Sequence, residues 1–146
     1  MKAKKTDSIS PVGTFTMKVY KHGKLVKTIE EKNLVVDGGK FHLVSYLGMG
    51  SPRLISDISF GTNATAPHRL DTAITGAFTK TLAAVSYPVA GKVQFDWTLE
   101  TYENNGMTIA EYGLMLDNGD LFARRTFATI VKNNTIRLTG SWSIQF

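Results

Sequence analysis

The chain has 146 residues, of which 42% are hydrophobic and 20% are charged, and its formal net charge is +5. This length suits one domain with a core of its own, and the composition is that of a folded protein. The sequence contains no cysteine, which excludes a disulfide framework, a thiolate nucleophile and a zinc site built on sulfur.

The positive charge gathers near the beginning of the chain. Lys2, Lys4 and Lys5 lie in a predicted basic N-terminal arm over residues 1–12, and more lysines fall in the first predicted hairpin. Lysines on an arm and on exposed strand faces are ordinarily solvated, so nucleic acid is not the expected partner. No apolar run reaches the roughly 18 to 20 residues of a membrane span, and the first residues lack the apolar segment of a secretory signal.

A β-hairpin and a helix are predicted for residues 14–48. In "TFTMKVY", apolar and polar side chains alternate as in a half-buried strand, and His22-Gly23 supplies a tight turn before the returning strand "LVKTIE". In "NLVVDGGKFHLVSYLG" the apolar residues instead recur at three and four positions. This spacing predicts a short amphipathic helix over 38–48, with Asp37 as its N-cap and Gly48 or Gly50 as its end.

The middle of the chain is dominated by a long polar loop. A short predicted strand, "LISDISF", leads into "GTNATAPHRLDTAITGA", residues 61–77. Asp71 is expected to cap one turn of helix at "TAIT". Long loops within compact domains often carry function, so this loop is a candidate contact region. Residues 78–87 are predicted to be extended.

The last part of the chain shows the clearest strand pattern. "KVQFDWTLETY" alternates strictly, and "MTIAEYGLML" and "DLFARRTF" form a predicted hairpin around "DNG". Asn118 and Gly119 are expected to adopt the positive φ angles of a type I′ turn. In the closing strand "NTIRLTGSWSIQF", Gly140 falls in the inward series with Trp142, which indicates a bulge or the close approach of a neighbouring strand.

These elements predict seven or eight strands and one short helix, joined mostly by hairpin-compatible turns. The fold class is therefore mainly β: an antiparallel β-sandwich, jelly-roll-like, or a barrel. We expect a single domain over residues 13–146, preceded by the basic arm.

No catalytic, metal-binding or cofactor-binding site is predicted. A serine on a G-x-S-x-G elbow is absent, and "GMGSPR" lacks the lysine of a phosphate loop. Asp96 and Glu100 lie on the polar face of a strand, so a glycosidase carboxylate pair is disfavoured. The three histidines fall in separate elements without the spacing of metal ligands: His22, His42 and His68.

The stretch Glu103–Phe127, "ENNGMTIAEYGLMLDNGDLFARRTF", holds four acidic residues and two adjacent arginines. It is either a catalytic acid/base cluster or a set of charges at turns and on the solvent face of paired strands. With Asn118-Gly119 as the turn, Glu111 falls opposite Thr126, and Arg124 becomes its diagonal neighbour. The register therefore predicts a cross-strand ion pair of Glu111 and Arg124, worth roughly 0.2 to 1 kcal/mol, instead of an active site.

Motifs within residues 55–146 resemble a recurrent module of tailed-bacteriophage virion proteins. Such modules share a "GT…TAP…DTAL" loop, a "G.TI.E.GL…dG.L.AR..F" hairpin and a closing W-x-I-x-F strand. The corresponding segments here are "GTNATAPHRLDTAIT", "GMTIAEYGLMLDNGDLFARRTF" and "WSIQF". The matching positions are Gly61, Thr62, Ala66, Pro67, Asp71, Thr72, Gly106, Ile109, Glu111, Gly113, Leu114, Gly119, Leu121, Ala123 and Arg124.

The resemblance implies a non-enzymatic structural role in the virion, without a cofactor. A capsid decoration or cement protein is favoured, and a tail, baseplate or tail-fibre component is the alternative. The implied partners are the major capsid protein or tail proteins, together with further copies of this chain in a homo-oligomer. The resemblance further implies that the protein is made in the bacterial host cytoplasm and resides in the virion. The candidate interface comprises Lys2, Lys4, Lys5, Thr62, Asn63, Pro67, His68 and Arg69.

Two further classes of binding protein remain as alternatives. A basic β-barrel with exposed aromatic side chains is typical of domains that bind single-stranded nucleic acid. Exposed tyrosines also stack on sugars in carbohydrate-binding sandwiches. Tyr20, Tyr102 and Tyr112 are the candidates for these outward positions. The chain lacks a strand that interleaves basic and aromatic residues, so both classes rank below the structural role.

Overall fold

The computed structural model describes residues 11–48, 50 and 53–146. These residues form nine antiparallel strands in one curled, half-barrel sheet, together with a single helix, so the predicted mainly β class is confirmed. The strands exceed the expected seven or eight because the extended segment 78–87 divides in two. The elements are β1 (Val12–Lys21), β2 (Lys24–Val35), α1 (Asp37–Gly48), β3 (Ile55–Gly61), β4 (Phe78–Thr81), β5 (Ala84–Ser86), β6 (Lys92–Leu99), β7 (Thr108–Leu116), β8 (Leu121–Val131) and β9 (Ile136–Gln145).

The strands follow the order β4-β3-β7-β8-β2-β1-β9-β6-β5, and the inward residues of several strands meet in an aromatic core. Phe15 lies at its centre, with ring centroids 5.8 Å from Trp97, 5.2 Å from Tyr112 and 5.1 Å from Trp142. All four side chains are buried. Aromatic rings at such separations attract one another in addition to burying apolar area. The inward series predicted for β6 and β9 therefore forms the centre of the core.

β7 is buried on both of its faces, whereas the sequence pattern predicted one wet face. Every residue of β7 after Thr108 is buried. One face meets the aromatic core, and the other is covered by loop residue Ile74, which clusters with Val36, Met115 and Leu121. Tyr112 is consequently not an outward residue, and burial raises the pKa of its hydroxyl above the ordinary tyrosine value.

The two predicted hairpins are present, but they turn differently. His22 and Gly23 both have positive φ, as the two-residue turn between β1 and β2 requires. Between β7 and β8, Gly119 has a φ of 88°, while Asn118 does not have a positive φ. The type I′ expectation is therefore wrong. The amide of Gly119 donates to the carbonyl of Leu116, and the following irregular pairing matches a longer turn that ends in a bulge.

The helix lies where it was predicted, but its surroundings differ from the expectation. Asp37 belongs to the first turn of α1, and its carboxylate accepts a hydrogen bond from Arg69 instead of capping the helix. Gly39 is the buried residue of the helix, and it packs against the backbone of Phe122 in β8. The predicted amphipathic arrangement is wrong, because large apolar side chains of α1, including Leu47, remain exposed.

Gly140 marks a close approach within the core, the second of the two alternatives that its sequence position left open. It pairs with Trp97 of β6 on one side and with Met17 of β1 on the other, without a shift of register. A Cβ atom on Gly140 would lie 2.2 Å from Cζ2 of Trp97 and 2.7 Å from the carbonyl oxygen of Thr16. The Trp97 ring therefore occupies the space of the missing side chain.

We expect Gly140→Ala to lower the free energy of unfolding by about 1 to 3 kcal/mol, because the added methyl group overlaps the Trp97 ring and the packed core leaves that ring little space to shift. Equilibrium urea unfolding measures this change. Gly48→Ala is the matched control, since a Cβ at this helix end meets nothing within 4 Å. A Gly140→Ala variant as stable as the control would show that Trp97 can shift freely.

Candidate functional site: a buried ionic clamp and its loop

The hairpin of β7 and β8 contains the predicted ion pair. Glu111 lies opposite Thr126, as the turn register predicted, and Nε of Arg124 donates to Oε2 of Glu111 over 2.6 Å. The side chain of Glu111 is 0% exposed and that of Arg124 is 2% exposed. The sequence pattern placed the pair on a solvent face, and this part of the expectation is wrong.

Arg124 also binds the long loop that follows β3, residues 62–77, here called the clamped loop. Its Nη1 donates to Oδ2 of Asp71 over 3.0 Å. Its Nη2 donates to the carbonyl oxygens of Asn63, at 3.0 Å, and Thr65, at 2.9 Å. The planar guanidinium group suits such a fork of acceptors, and it joins two separate parts of the loop to the sheet.

Glu111 holds both ends of the clamped loop through its second carboxylate oxygen. Oε1 accepts hydrogen bonds from the backbone amides of Thr75, at 2.7 Å, and Asn63, at 3.2 Å. Gly61 permits this approach, because a Cβ at that position would lie 2.5 Å from Oε1 of Glu111. Gly113 leaves similar room for Ile74, whose Cγ1 would be 2.6 Å from an added Cβ. We call Glu111, Arg124 and Asp71 the ionic clamp.

The charged groups of the ionic clamp are already bonded to one another and to the clamped loop. Both oxygens of Glu111 already accept hydrogen bonds, and the guanidinium of Arg124 is occupied by carboxylates and carbonyls. Removing one partner of such a buried ion pair destabilises the fold strongly, because the other charge then stays buried without compensation. Glu111 is fully buried, so it lacks the open face that a general base needs.

The Asp71 carboxylate belongs to the ionic clamp and does not cap a helix. Its Oδ2 accepts from the backbone amide of His68 over 2.8 Å and from Arg124. Residues 72–75 form no helix, so the predicted capped turn at "TAIT" is wrong. An aspartate that is bonded to an amide three residues earlier and to a buried arginine fixes the middle of the loop.

The clamped loop presents part of the candidate interface to solvent. Thr62, His68 and Arg69 are exposed, whereas Asn63 and Pro67 are half-buried. The main chain of Asn63 is taken up by the clamp on both its amide and its carbonyl. The other three candidate residues, Lys2, Lys4 and Lys5, lie outside the described part of the chain.

Arg69 connects the clamped loop to the start of α1. Its Nη1 lies 2.5 Å from Oδ2 of Asp37, and its carbonyl oxygen accepts the amide of Asp37 over 2.8 Å. Because main chain and side chain both take part, the loop and the helix are held as neighbours. Arg69 is thus partly engaged within the chain, which the sequence did not indicate.

An exposed apolar surface beside α1 was missed by the sequence reasoning. Two grooves, of about 370 Å³ and 570 Å³, share Leu43 and Tyr46 and run along the helix. The signal was available in the sequence, because apolar residues are spread around α1 instead of lying in one stripe. We call the exposed apolar residues that line these grooves the helix surface: Val44, Tyr46, Leu47, Leu54, Val85, Tyr87 and Phe146.

The acidic residues of Glu103–Phe127 do not converge. Glu103 binds Nζ of Lys80 at 2.8 Å, and Asp120 binds Nε2 of His42 at 3.0 Å. Asp117 lies 3.8 Å from Arg53. Glu103 and Asp117, like Glu111, each have a cationic partner of their own, and Asp120 is bonded to His42. The acid/base interpretation of this stretch therefore finds no support in the geometry. Within residues 11–48, 50 and 53–146, no three His, Asp or Glu residues are placed to hold a metal ion.

Glu103 closes the turn between β6 and β7 beside Lys80 and Lys132. Burial raises the pKa of Glu103, but hydrogen bonds from Lys80 and from the amide of Glu100 outweigh this effect, so the pKa lies below its ordinary value. Burial lowers the pKa of Lys132, against the opposing attraction of Glu103 and Glu100. The Nζ of Lys132 donates to Oδ1 of Asn105 over 2.9 Å and so fastens the same turn.

The three candidate tyrosines do not form one binding surface. Tyr112 is buried, Tyr102 is exposed at a turn, and Tyr20 lies under the guanidinium of Arg137 at 5.9 Å from its ring centroid. Stacking on bases or sugars by these residues as a group therefore finds no support. No helix in the described part of the chain is long and apolar enough to cross a bilayer.

Comparisons of the chain with protein-family models, with curated proteins and with solved structures found no match.

We expect Glu111→Gln to lower the free energy of unfolding by about 3 kcal/mol or more, because it leaves the Arg124 charge buried without a full partner. Asp117→Asn is the matched control: it neutralises a half-exposed ion pair and should cost less than about 1 kcal/mol. Urea unfolding measures both changes. Amide hydrogen exchange should also quicken at Asn63 and Thr75 in Glu111→Gln alone; equal costs in the two variants would argue against the clamp.

The lowered pKa of Glu103 predicts a pH-dependent contribution to stability. Because the folded-state pKa lies below the ordinary glutamate pKa of 4.5, the contribution is fully present above that pH and is lost as the pH falls through the lowered folded-state pKa. The stability difference between the native chain and Glu103→Gln should therefore be constant near neutral pH and shrink on acidification. Unfolding titrations at several pH values test this, with Glu30→Gln on exposed β2 as the control. A difference that grows on acidification would contradict it.

Proposed function

We propose that this chain is a non-enzymatic structural protein of a tailed-bacteriophage virion that acts through protein–protein contacts as a capsid decoration or cement protein. One observation carries the proposal. Key residues of the virion-module resemblance, which are separate motifs in the sequence, come together around the ionic clamp and the loop that it holds: Gly61, Asp71, Glu111, Gly113 and Arg124.

This convergence gives the motif a physical purpose that suits a contact protein. The clamp gives the clamped loop a defined shape while leaving its Thr62, His68 and Arg69 at the surface. A loop that is already ordered loses little conformational entropy when a partner binds, so more of the contact energy appears as affinity. The motif thus supports recognition, and its charged residues are occupied by that task.

The helix surface supports the same role with contact area. Tyr46, Tyr87 and Phe146 are each at least 60% exposed, so these three rings alone present on the order of 400 Å² of largely apolar area. Val44, Leu47 and Leu54, each at least 65% exposed, extend it. The largest apolar patch of a typical monomer covers roughly 300 to 600 Å², and larger patches usually mark an interaction site. We assign this surface to contact with another virion protein.

The decisive experiment is a protein inventory of particles purified from the phage that encodes the chain. Quantitative mass spectrometry should find the chain at a copy number comparable to that of the major capsid protein, and electron microscopy should place it on the outer capsid. A few copies at the tail would move the protein to the tail or baseplate alternative. Absence from purified virions would overturn the virion role itself.

Leu47→Asp should weaken binding to particles that lack the protein by at least about tenfold, because it places a charge in the middle of an apolar contact. Leu47 is 87% exposed, so the fold itself should tolerate the change. Val131→Asp is the matched control, since Val131 is 59% exposed but lies on β8, outside the helix surface. Co-sedimentation with particles measures binding. An equal loss of binding in both variants would show that the helix surface is not the contact site.

A further inference from the structure

The outer edge of β2 is open along most of its length. β2 pairs with β1 from Lys24 to Asn33, but on its other side it pairs with β8 only at Leu34 and Val35. In the described part of the chain, no strand covers that other side between Lys24 and Asn33. The backbone groups of this edge therefore offer a template for a further strand.

We propose that β2 of a second copy of this chain pairs antiparallel with this edge, with Ile29 facing its own counterpart across a two-fold axis. A symmetric antiparallel pair of identical strands must place some residue opposite itself, because a residue and its symmetry mate point to the same face of the joined sheet. The possible registers are therefore few, and each can be named by its central residue.

The charges of β2 select one of these registers. With Ile29 at the centre, Lys27 lies opposite Glu31 of the other copy, and symmetry repeats this pair. Centring on Lys27, Glu30 or Glu31 places like charges opposite one another at the axis itself. Centring on Thr28 forms no such ion pair and opposes Lys24 to Lys32. The Ile29 register alone pairs opposite charges without opposing like ones, and opposed like charges destabilise paired strands.

The three residues that define this register share one face of the sheet. Lys27, Ile29 and Glu31 lie opposite Val19, Met17 and Phe15 of β1, which are all buried on the inner face. Ile29 is partly buried against the core, so its counterpart would complete its cover. Glu31 already contacts Arg125 of β8, and Lys27 of the second copy would extend that ion pair into a network.

Charged side chains on an open edge also discourage unspecific strand pairing. In β2 the same charges have both effects. Lys27 and Glu31 repel their own counterparts in the registers centred on either of them, and they attract each other in the Ile29 register. Specific association commonly combines repulsion of wrong arrangements with attraction in the right one. The regular segment is Lys27–Glu31, since a register irregularity at Val19/Tyr20 interrupts the ladder towards the hairpin tip.

Sedimentation velocity over a concentration series tests the pairing with four forms of the full chain. The native chain should dimerise. Lys27→Glu and Glu31→Lys should each weaken the dimer by at least about tenfold, because each replaces two attractive pairs by two repulsive ones. The double variant Lys27→Glu/Glu31→Lys should restore dimerisation, since it exchanges the charges in both copies. Lys18→Glu is the control, with the same charge change on the exposed face of β1.

Amide hydrogen exchange at low and high protein concentration gives a second readout that needs no variant. Amides on the outer edge of Lys27–Glu31 should become protected as the concentration rises. A chain that stays monomeric, or a double variant that fails to dimerise although circular dichroism shows it folded, would overturn the proposal. So would a dimer that survives Lys27→Glu but is lost in Leu47→Asp, because that result would place the contact at the helix surface.

Discussion

The buried guanidinium of Arg124 is the constraint on which the positions of the clamped loop and of β7 depend. A charge taken out of water must be surrounded by acceptors, and here these come from one glutamate, one aspartate and two loop carbonyls. To supply them, the clamped loop has to lie across β7. That position buries the outer face of β7 and leaves no space for a side chain at Gly61.

The sequence predicted the ion pair but not its burial. The pair forms between neighbouring strands of one hairpin, whereas its burial depends on residues that are distant in the sequence. The pairing of Glu111 with Thr126 is set within the hairpin itself: Met115 pairs with Leu121, one position off the expected register, and the bulge between Leu114 and Met115 restores that register. Burial of the pair depends on contacts with Asn63 and Asp71, far away in the chain, which no local period encodes. A hint existed: "IAEYGLML" is almost continuously apolar, which is typical of a strand covered on both faces.

Other differences also arise where tertiary contacts override local preference. Asp37 and Asp71 were expected to cap helices, the commonest use of an aspartate before a polar turn. Both instead bind an arginine from another part of the fold, Arg69 and Arg124. Strand alternation, by contrast, depends only on which face meets the core, and it correctly placed Phe15, Trp97 and Trp142 inside.

The helix surface and the outer edge of β2, both uncovered in the part of the chain that the structure describes, differ in a way that suits different kinds of contact. The helix surface is broad and apolar, so it can supply contact energy but discriminates poorly among orientations. The edge of β2 offers little apolar area, but its backbone groups and the separation of Lys27 from Glu31 favour the symmetric alignment proposed above. The proposed virion role requires both properties, because a capsid-bound protein must hold to its lattice and also take one orientation within it. In this proposal the helix surface serves attachment and the β2 edge serves alignment, so the two contacts do not compete for the same residues.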